Sequence, residues 1–259
     1  MTRDRIRADL MLVEHGHFES RARAQAAIAA GLVRADGRPV TRASERLPPG
    51  AAIEAAAAHP FVSRGGLKLE AALDAFGVDP AGLPCLDVGA STGGFTDLLL
   101  RRGAAHVTAV DVGHGQLHAS LAADPRVTNR EGADIRTLAP GSLDPAPRLA
   151  GIDVSFIALR LVLPAVAGLL APGAPLIALI KPQFEAGRGR VGRGGIVRDE
   201  AVHAEVCEAV RATLADLGFT ILGLIPSPVR GGDGNTEFLV GARAAGATAA
   251  PPERPDDRI

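Results

Sequence analysis

Leu86-Asp87-Val88-Gly89-Ala90-Ser91-Thr92-Gly93-Gly94-Phe95 is the stretch whose reading decides the fold. An apolar strand ends in an acid, a glycine-rich turn follows, and a helix opens at Phe95. Glycines let the backbone pass close to a ligand at the C-terminal edge of a strand, where open α/β sheets bind their ligands. The spacing is Gly-x-x-x-Gly-Gly, not the Gly-x-Gly-x-x-Gly of dinucleotide folds. No Lys-Ser/Thr closes the loop, which excludes a phosphate-binding P-loop.

Outward from this turn, the pattern repeats. Strands are predicted at Cys85–Val88, His106–Asp111, Arg126–Glu131, Leu149–Val154, Pro175–Lys181, Phe219–Pro226 and Thr236–Val240. Helices fall between them, notably Phe95–Arg102, Ile157–Leu170 and Glu200–Leu217. Alternation of this kind implies an α/β fold with a doubly wound, mostly parallel seven-stranded sheet. The short polar connection 227–235 suggests that the last two strands form an antiparallel edge. Asp111 closes the second strand, 24 residues after Asp87, where an acid can accept both hydroxyls of a ribose. Asp134 is placed for an adenine amino group. Together these positions resemble the S-adenosylmethionine (SAM) site of Rossmann-like methyltransferases, with a dinucleotide as the competing ligand. That resemblance puts Asp87, Gly89, Gly93 and Gly94 at the methionine end and Asp111 at the ribose, with Ser91 and Thr92 donating hydrogen bonds from the loop.

Residues 1–56 read as a separate module. Ile6, Leu10 and Val13 have helical spacing and Gly16 ends the turn. Ser20 is an N-cap for a helix over Arg21–Ala30, closed by Gly31. Asp36-Gly37 is a hairpin turn between Leu32–Ala35 and Pro39-Val40, and a last short strand is predicted at Ala52–Glu54. The order Arg7-x-Asp9-x-x-Leu12-x-x-x-Gly16, then Ser20-Arg21-x-x-Ala24-x-x-x-Ile28-x-x-Gly31-x-Val33-x-x-x-Gly37, resembles the S4 RNA-binding domain, a small α+β fold. In that family a helix pair and hairpin present arginines to structured RNA, which makes Arg7, Arg21 and Arg23 the candidates. Residues 1–50 carry nine Arg against six acids, on a chain of net charge −1, so a basic head sits on a mildly acidic body. Residues 57–62 read as a linker, 63–243 as the catalytic domain and 244–259 as a disordered tail.

Composition narrows the class further. No apolar run is long enough to span a bilayer, and the N-terminus lacks the apolar core of a signal peptide. A cytoplasmic protein, without metal or membrane, is the simple reading. Cys85 and Cys207 have no metal spacing and suggest no disulfide. Neither is placed as the nucleophile that pyrimidine C5 methylation needs. The Asn/Asp-Pro-Pro-Tyr/Phe of base N-methylating enzymes is absent after the fourth strand, which ends in Ile152-Asp153-Val154-Ser155-Phe156. Of 28 basic residues only two are lysine, Lys68 and Lys181. A lysine that ends an apolar strand, as Lys181 does, is poor filler, because burying an unpaired ammonium costs several kcal/mol. Asp153 ends the neighbouring strand, and Glu237 stands at the start of the last one.

Six segments in order complete the pattern: Val62-Ser-Arg-Gly-Gly-Leu-Lys68-Leu, Asp87–Thr96, Asp153-Val-Ser-Phe-Ile, Leu179-Ile-Lys-Pro-Gln-Phe-Glu185, Gly194-Gly-Ile-Val-Arg-Asp199 and Gly234-Asn-Thr-Glu237. They resemble the hemolysin A (TlyA) family of ribosomal RNA 2′-O-methyltransferases, an S4 module joined to an FtsJ-like methyltransferase domain. The resemblance implies SAM as cofactor, cytidine ribose in rRNA within ribosomal subunits as substrate, and Lys68, Asp153, Lys181 and Glu237 as the catalytic tetrad. Lys181 would act as general base, eased by desolvation and by Lys68. Alternatively it stays charged and stabilises the developing alkoxide, since two nearby carboxylates pull the other way. Rival readings are a non-catalytic ribosome-assembly factor that retains the fold, and a membrane-lytic hemolysin. Two positions depart from the family: His114 and Phe61 stand where an aromatic residue and Tyr or Trp are expected. With no Tyr or Trp in the chain, Phe156 and Phe184 are left for base stacking.

Overall fold

The computed structural model describes residues 5–57, 59–231 and 234–246. Its contacts divide the chain into two compact units, Met1–Pro60 and Phe61–Ile259.

The first unit contains β1 (Ile6–Arg7), α1 (Ala8–Glu14), α2 (Arg21–Ala29), β2 (Val33–Ala35), β3 (Arg38–Pro39), β4 (Arg46–Leu47) and β5 (Ile53–Ala55). β2 pairs antiparallel with both β3 and β5, and β1 pairs with β4. Ser20 caps α2 by accepting from the Arg23 N–H, and Gly16 and Gly31 take positive φ after α1 and α2. The apolar face of α1 is not the predicted one. Ala8, Met11 and Leu12 are buried, whereas Leu10 and Val13 are only partly so. Ile6, the first residue of the predicted period, belongs to a strand, so the helix starts two residues later and its buried face turns with it.

The second unit runs through α3 (Gly65–Phe76), β6 (Pro84–Val88), α4 (Gly94–Arg101), β7 (His106–Asp111), α5 (Ala119–Ala122), β8 (Val127–Glu131), β9 (Leu149–Ile152), α6 (Leu163–Leu169), β10 (Pro175–Ile180), α7 (Pro182–Glu185), α8 (Glu200–Asp216), β11 (Phe219–Pro226) and β12 (Phe238–Ala244). Seven strands form one sheet in the order β11-β12-β10-β9-β6-β7-β8. Pairing is parallel from β10 to β8 and antiparallel where β12 meets β10 and β11. β10 is buried on both faces, as a central strand covered by helices must be. Leu176, Ala178 and Ile180 pack with α6 and α8, while Ile177 and Leu179 pack with α3 and α4. Each fully buried aliphatic side chain of this kind contributes about 1.5–3 kcal/mol.

Several boundaries differ from expectation; the last strand, for one, runs Phe238–Ala244 instead of Thr236–Val240. The predicted helix Ile157–Leu170 is split into a 3-10 turn, Leu159–Leu161, and α6, because Pro164 has no N–H to continue a helix and instead sits in its first turn. β9 stops at Ile152, two residues early, since the chain turns at Phe156 with φ +64°. The predicted disordered tail begins inside β12, whose last residue Ala244 pairs with Phe219; residues 247–259 lie outside the described residues. Among the described residues no helix is long and apolar enough to cross a membrane, and no group of His, Cys, Asp and Glu could hold a metal ion.

Candidate active site

Four charged side chains come from four elements of the second unit. Lys68 lies in the first turns of α3, and its Nζ donates to Glu237 Oε2 at 2.6 Å. Both are buried, with 10% and 3% of their side-chain surfaces exposed. Glu237 immediately precedes β12, whose register sets Phe238 beside Ile180. Glu237 and Lys181 are the residues just beyond that last pair on the two chains. Lys181 follows β10, and its Nζ lies 2.7 Å from Oδ1 of Asp153, which follows the parallel neighbour β9. This contact is an ion pair whose angles fall outside hydrogen-bond geometry, and Asp153 Oδ1 is otherwise buried without a partner. The sheet thus brings two lysine–acid pairs to its C-terminal edge. Cys85 and Cys207 are buried elsewhere, and desolvation pushes their thiols up to about 12 and about 11, which leaves neither as a thiolate.

The glycine-rich loop borders the same edge. A cavity of about 190 Å³ is lined by Asp87, Gly89, Ser91, Thr92, Gly94, Asp153 and Lys181, among others. An adjoining cavity of about 1300 Å³ shares Gly89, Ser91, Asp153 and Ser155 with it and extends past Asp111 and Asp134 to Phe156 and Phe184. Asp87 is fully buried. Its Oδ2 accepts from the backbone N–H and the hydroxyl of Thr96, tying the strand to the start of α4. Its Oδ1 has no partner, and burial, reinforced by Asp153, pushes its carboxyl up to about 7 against the Thr96 bonds. Asp111 accepts from the N–H groups of Ser91 and Gly113. Asp134 is engaged in a bidentate pair with Arg136, which lowers its proton affinity. Ser91 (φ +47°) and Thr92 are exposed at the turn.

The loop's glycines have reasons of their own. At Gly89 (φ +82°) a Cβ would stand 2.5 Å from the Asp153 carbonyl oxygen. At Gly93 (φ +93°) it would strike Leu117 and Leu121, and at Gly94 the Ser63 hydroxyl. What forbids a side chain there is the protein's own packing, not the approach of a ligand.

Ser155, Asn235 and Glu131, which the sequence did not single out for a role, shape the site, as does the Phe156–Phe184 pair that it did. Ser155 Oγ accepts a 2.8 Å hydrogen bond from Lys181 Nζ. Asn235 is completely buried, accepts from the Val197 N–H and donates to the Gly195 carbonyl, so it ties the 192–197 loop to the chain entering Glu237. Glu131 accepts from the N–H groups of Gly115, Gln116 and Leu117, which lowers its proton affinity and fixes the loop after Asp111. Phe156 is 91% exposed at positive φ, its ring 5.1 Å from that of Phe184. The two departures are also accounted for. Phe61 is buried against Gly66 in the core, and His114 lies over the Gly132 turn.

In the first unit Arg7 and Arg21 converge on one acid. Asp9 is fully buried and accepts from both guanidinium groups and from the Gln25 amide. The Arg7 bonds, followed by those of Arg21 and Gln25, hold its carboxyl well below the usual range. The arginine side chains keep 38% and 52% of their surfaces open. Arg23 reaches Glu19 at 3.6 Å.

The FtsJ-like methyltransferase family model matches residues 61–244, and the S4 domain model matches residues 6–53. Over 241 residues the chain is 44% identical to the 16S/23S rRNA (cytidine-2′-O)-methyltransferase TlyA of Mycobacterium tuberculosis, covering 92% of this chain and 90% of that protein. Over 235 residues it is 39% identical to Hemolysin A of Brachyspira hyodysenteriae, covering 90% of this chain and 98% of that one. A solved structure from Streptococcus thermophilus that carries a hemolysin name superposes with a TM-score of 0.74 at 42% identity, covering 93% of this chain and 89% of that chain.

Proposed function

Because the chain belongs to the FtsJ-like methyltransferase family and carries an S4 domain, we propose that it methylates the ribose 2′-hydroxyl of cytidine in ribosomal RNA, with SAM as methyl donor. The observation that carries this reading is the pairing of Lys181 with Asp153 in the lining of the glycine-loop cavity, together with the buried Lys68–Glu237 pair at the entry to β12, the strand beside β10.

The residues present fit SAM. The small polar cavity holds an orphaned, buried carboxylate oxygen on Asp87, suited to an amino group, and the larger one passes Asp111 and Asp134, suited to a nucleoside. Ser91, Thr92, Gly89, Gly93 and Gly94 form the turn between them. When bound, SAM supplies a methyl group already activated by its sulfonium.

A ribose hydroxyl is a weak nucleophile until its proton is removed or its oxygen polarised. Lys181 does one or the other, as general base or as the charge that stabilises the developing alkoxide. Asp153 holds the Lys181 amine by charge. Glu237 neutralises Lys68, so that the second ammonium is tolerated in a buried place. Phe156 and Phe184, their rings tilted against each other at the larger cavity, offer an aromatic surface for a base turned out of its helix. Arg7, Arg21 and Arg23 of the S4 domain supply RNA contacts through the open parts of their side chains.

Transfer of tritium from labelled SAM to ribosomal subunits, whole ribosomes and naked rRNA tests the reading. Label on the 2′-oxygen of a cytidine supports it. Absence of label from all three substrates, with SAM still bound, would leave an assembly factor that retains the fold.

A further inference from the structure

We propose that Ser155 is the positioning residue of the Lys181 amine, aiming it into the cavity where the ribose hydroxyl reacts. This inference rests on the proposed 2′-O-transfer and adds a fifth residue to the set.

The geometry of Lys181 requires such a residue. Its ion pair with Asp153 is short but poorly aligned, so it holds the charge without fixing the directions of the three N–H bonds. Among the described residues Ser155 Oγ is the one acceptor in hydrogen-bond geometry with Lys181 Nζ, at 2.8 Å. One aligned bond fixes rotation about the terminal C–N bond, and tetrahedral geometry then sets the remaining directions. Ser155 lines the small cavity together with Asp153 and Lys181, and lines the larger one as well. It is therefore placed at the junction of the methionine-sized and nucleoside-sized spaces, beside the amine that must face both.

The side-chain type suits the task. A hydroxyl accepts from an ammonium and donates to a neutral amine, so Ser155 can keep Lys181 aimed in either protonation state. A carboxylate such as Asp153 accepts only. Immediately beyond Ser155 the chain turns at Phe156, where a phenylalanine holds φ +64°, a conformation that costs about 1 kcal/mol or more in a residue other than glycine. That turn swings the 153–156 loop from the end of β9 back along the cavity. The charged groups around Lys181 are Asp153 after β9, Asp87 at the end of β6 in the same cavity, and the Lys68–Glu237 pair from α3 and the chain entering β12. Glu185 on α7 is engaged by the Leu159 N–H. None of these reproduces the bond from Ser155.

The test uses the full chain, labelled SAM and whichever ribosomal substrate the wild type methylates. Ser155 is exposed, so Ser155→Ala should fold normally. Its kcat at saturating SAM and RNA should fall about tenfold, with both KM values within about twofold. Ser155→Thr, which keeps the hydroxyl, should restore kcat to near the wild-type value. An unchanged kcat in Ser155→Ala, a fall carried by KM instead of kcat, or a Ser155→Thr variant as slow as Ser155→Ala would overturn the proposal. A wild type that transfers no methyl group would defeat the functional reading instead, before Ser155 is tested.

Discussion

Each of the two units buries acids beside basic side chains, and they do so in opposite ways. In the S4 domain one carboxylate, Asp9, takes bonds from two arginines and a glutamine, and its acceptors are filled. In the methyltransferase domain two acids meet two lysines one to one, and acceptors remain open: Asp87 Oδ1 has no partner, and Asp153 Oδ1 has only an unaligned charge. A saturated carboxylate fastens elements together and has no acceptor left to offer a ligand. An unsaturated one is costly in the folded chain and ready for substrate. Arginine, with its fixed fork, suits the first use, and lysine, a point charge that can give up a proton, suits the second.

The comparison can be broken most decisively at Lys181. Lys181→Ala should lower methyl transfer about 10³-fold while SAM affinity, measured calorimetrically, stays within a few-fold. Lys181→Arg should be nearly as inactive, and an active arginine variant would erase the distinction between the clusters. Asp9→Ala should destabilise the S4 domain by about 3 kcal/mol in a denaturant titration, since two guanidinium groups lose their shared partner. SAM binding should be untouched. This also sharpens the reading of Arg7→Ala and Arg21→Ala, whose loss of RNA affinity must be separated from loss of folding.

A third test exploits the open acceptor of Asp87. Its carboxyl is raised to about 7 by burial, so below that pH it is protonated and offers a bound ammonium no charge. SAM affinity should therefore rise as pH goes from 6 to 8, by about tenfold at most, and the slope should vanish in Asp87→Asn. A pH-independent wild type would show that this oxygen does not face the ligand. Phe156→Ala, at an exposed ring, should weaken RNA methylation severalfold through loss of stacking and leave the melting temperature unchanged. The smallest effect is expected at Arg23, which makes a long ion pair with Glu19. Arg23→Ala should reduce the salt dependence of RNA binding by about one phosphate contact, read as the slope of log affinity against log salt.

Strand alternation and the glycine turn made the seven-stranded fold legible, and the rarity of lysine in an arginine-rich chain drew attention to Lys68 and Lys181. Their partners were harder. Asp153 and Glu237 stood at strand ends, but which lysine each meets was not legible, because Lys181 and Lys68 lie 28 and 169 positions away and come together with them only in the folded domain. Asp9 stands two residues after Arg7 in the module's motif, and nothing local tells that it is buried. Asn235 reaches Val197 and Gly195 across about forty residues, and Ser155 is one serine among many until Lys181 is seen beside it. The glycines were read correctly as a tight turn but for an incomplete reason. Leu117, Leu121 and Ser63, which crowd Gly93 and Gly94, come from other segments of the chain.

The scarcity of lysine also changes how this protein meets reagents. Both ε-amino groups of the sequence lie at one buried site, each held by a carboxylate. Acylating or carbamylating agents therefore find no lysine side chain on the outside to consume them, and any ε-amine they do modify belongs to the site proposed for catalysis. Isotopic labelling of the lysine Nζ atoms alone would give two side-chain signals, both from the site proposed for methyl transfer, against otherwise silent side chains.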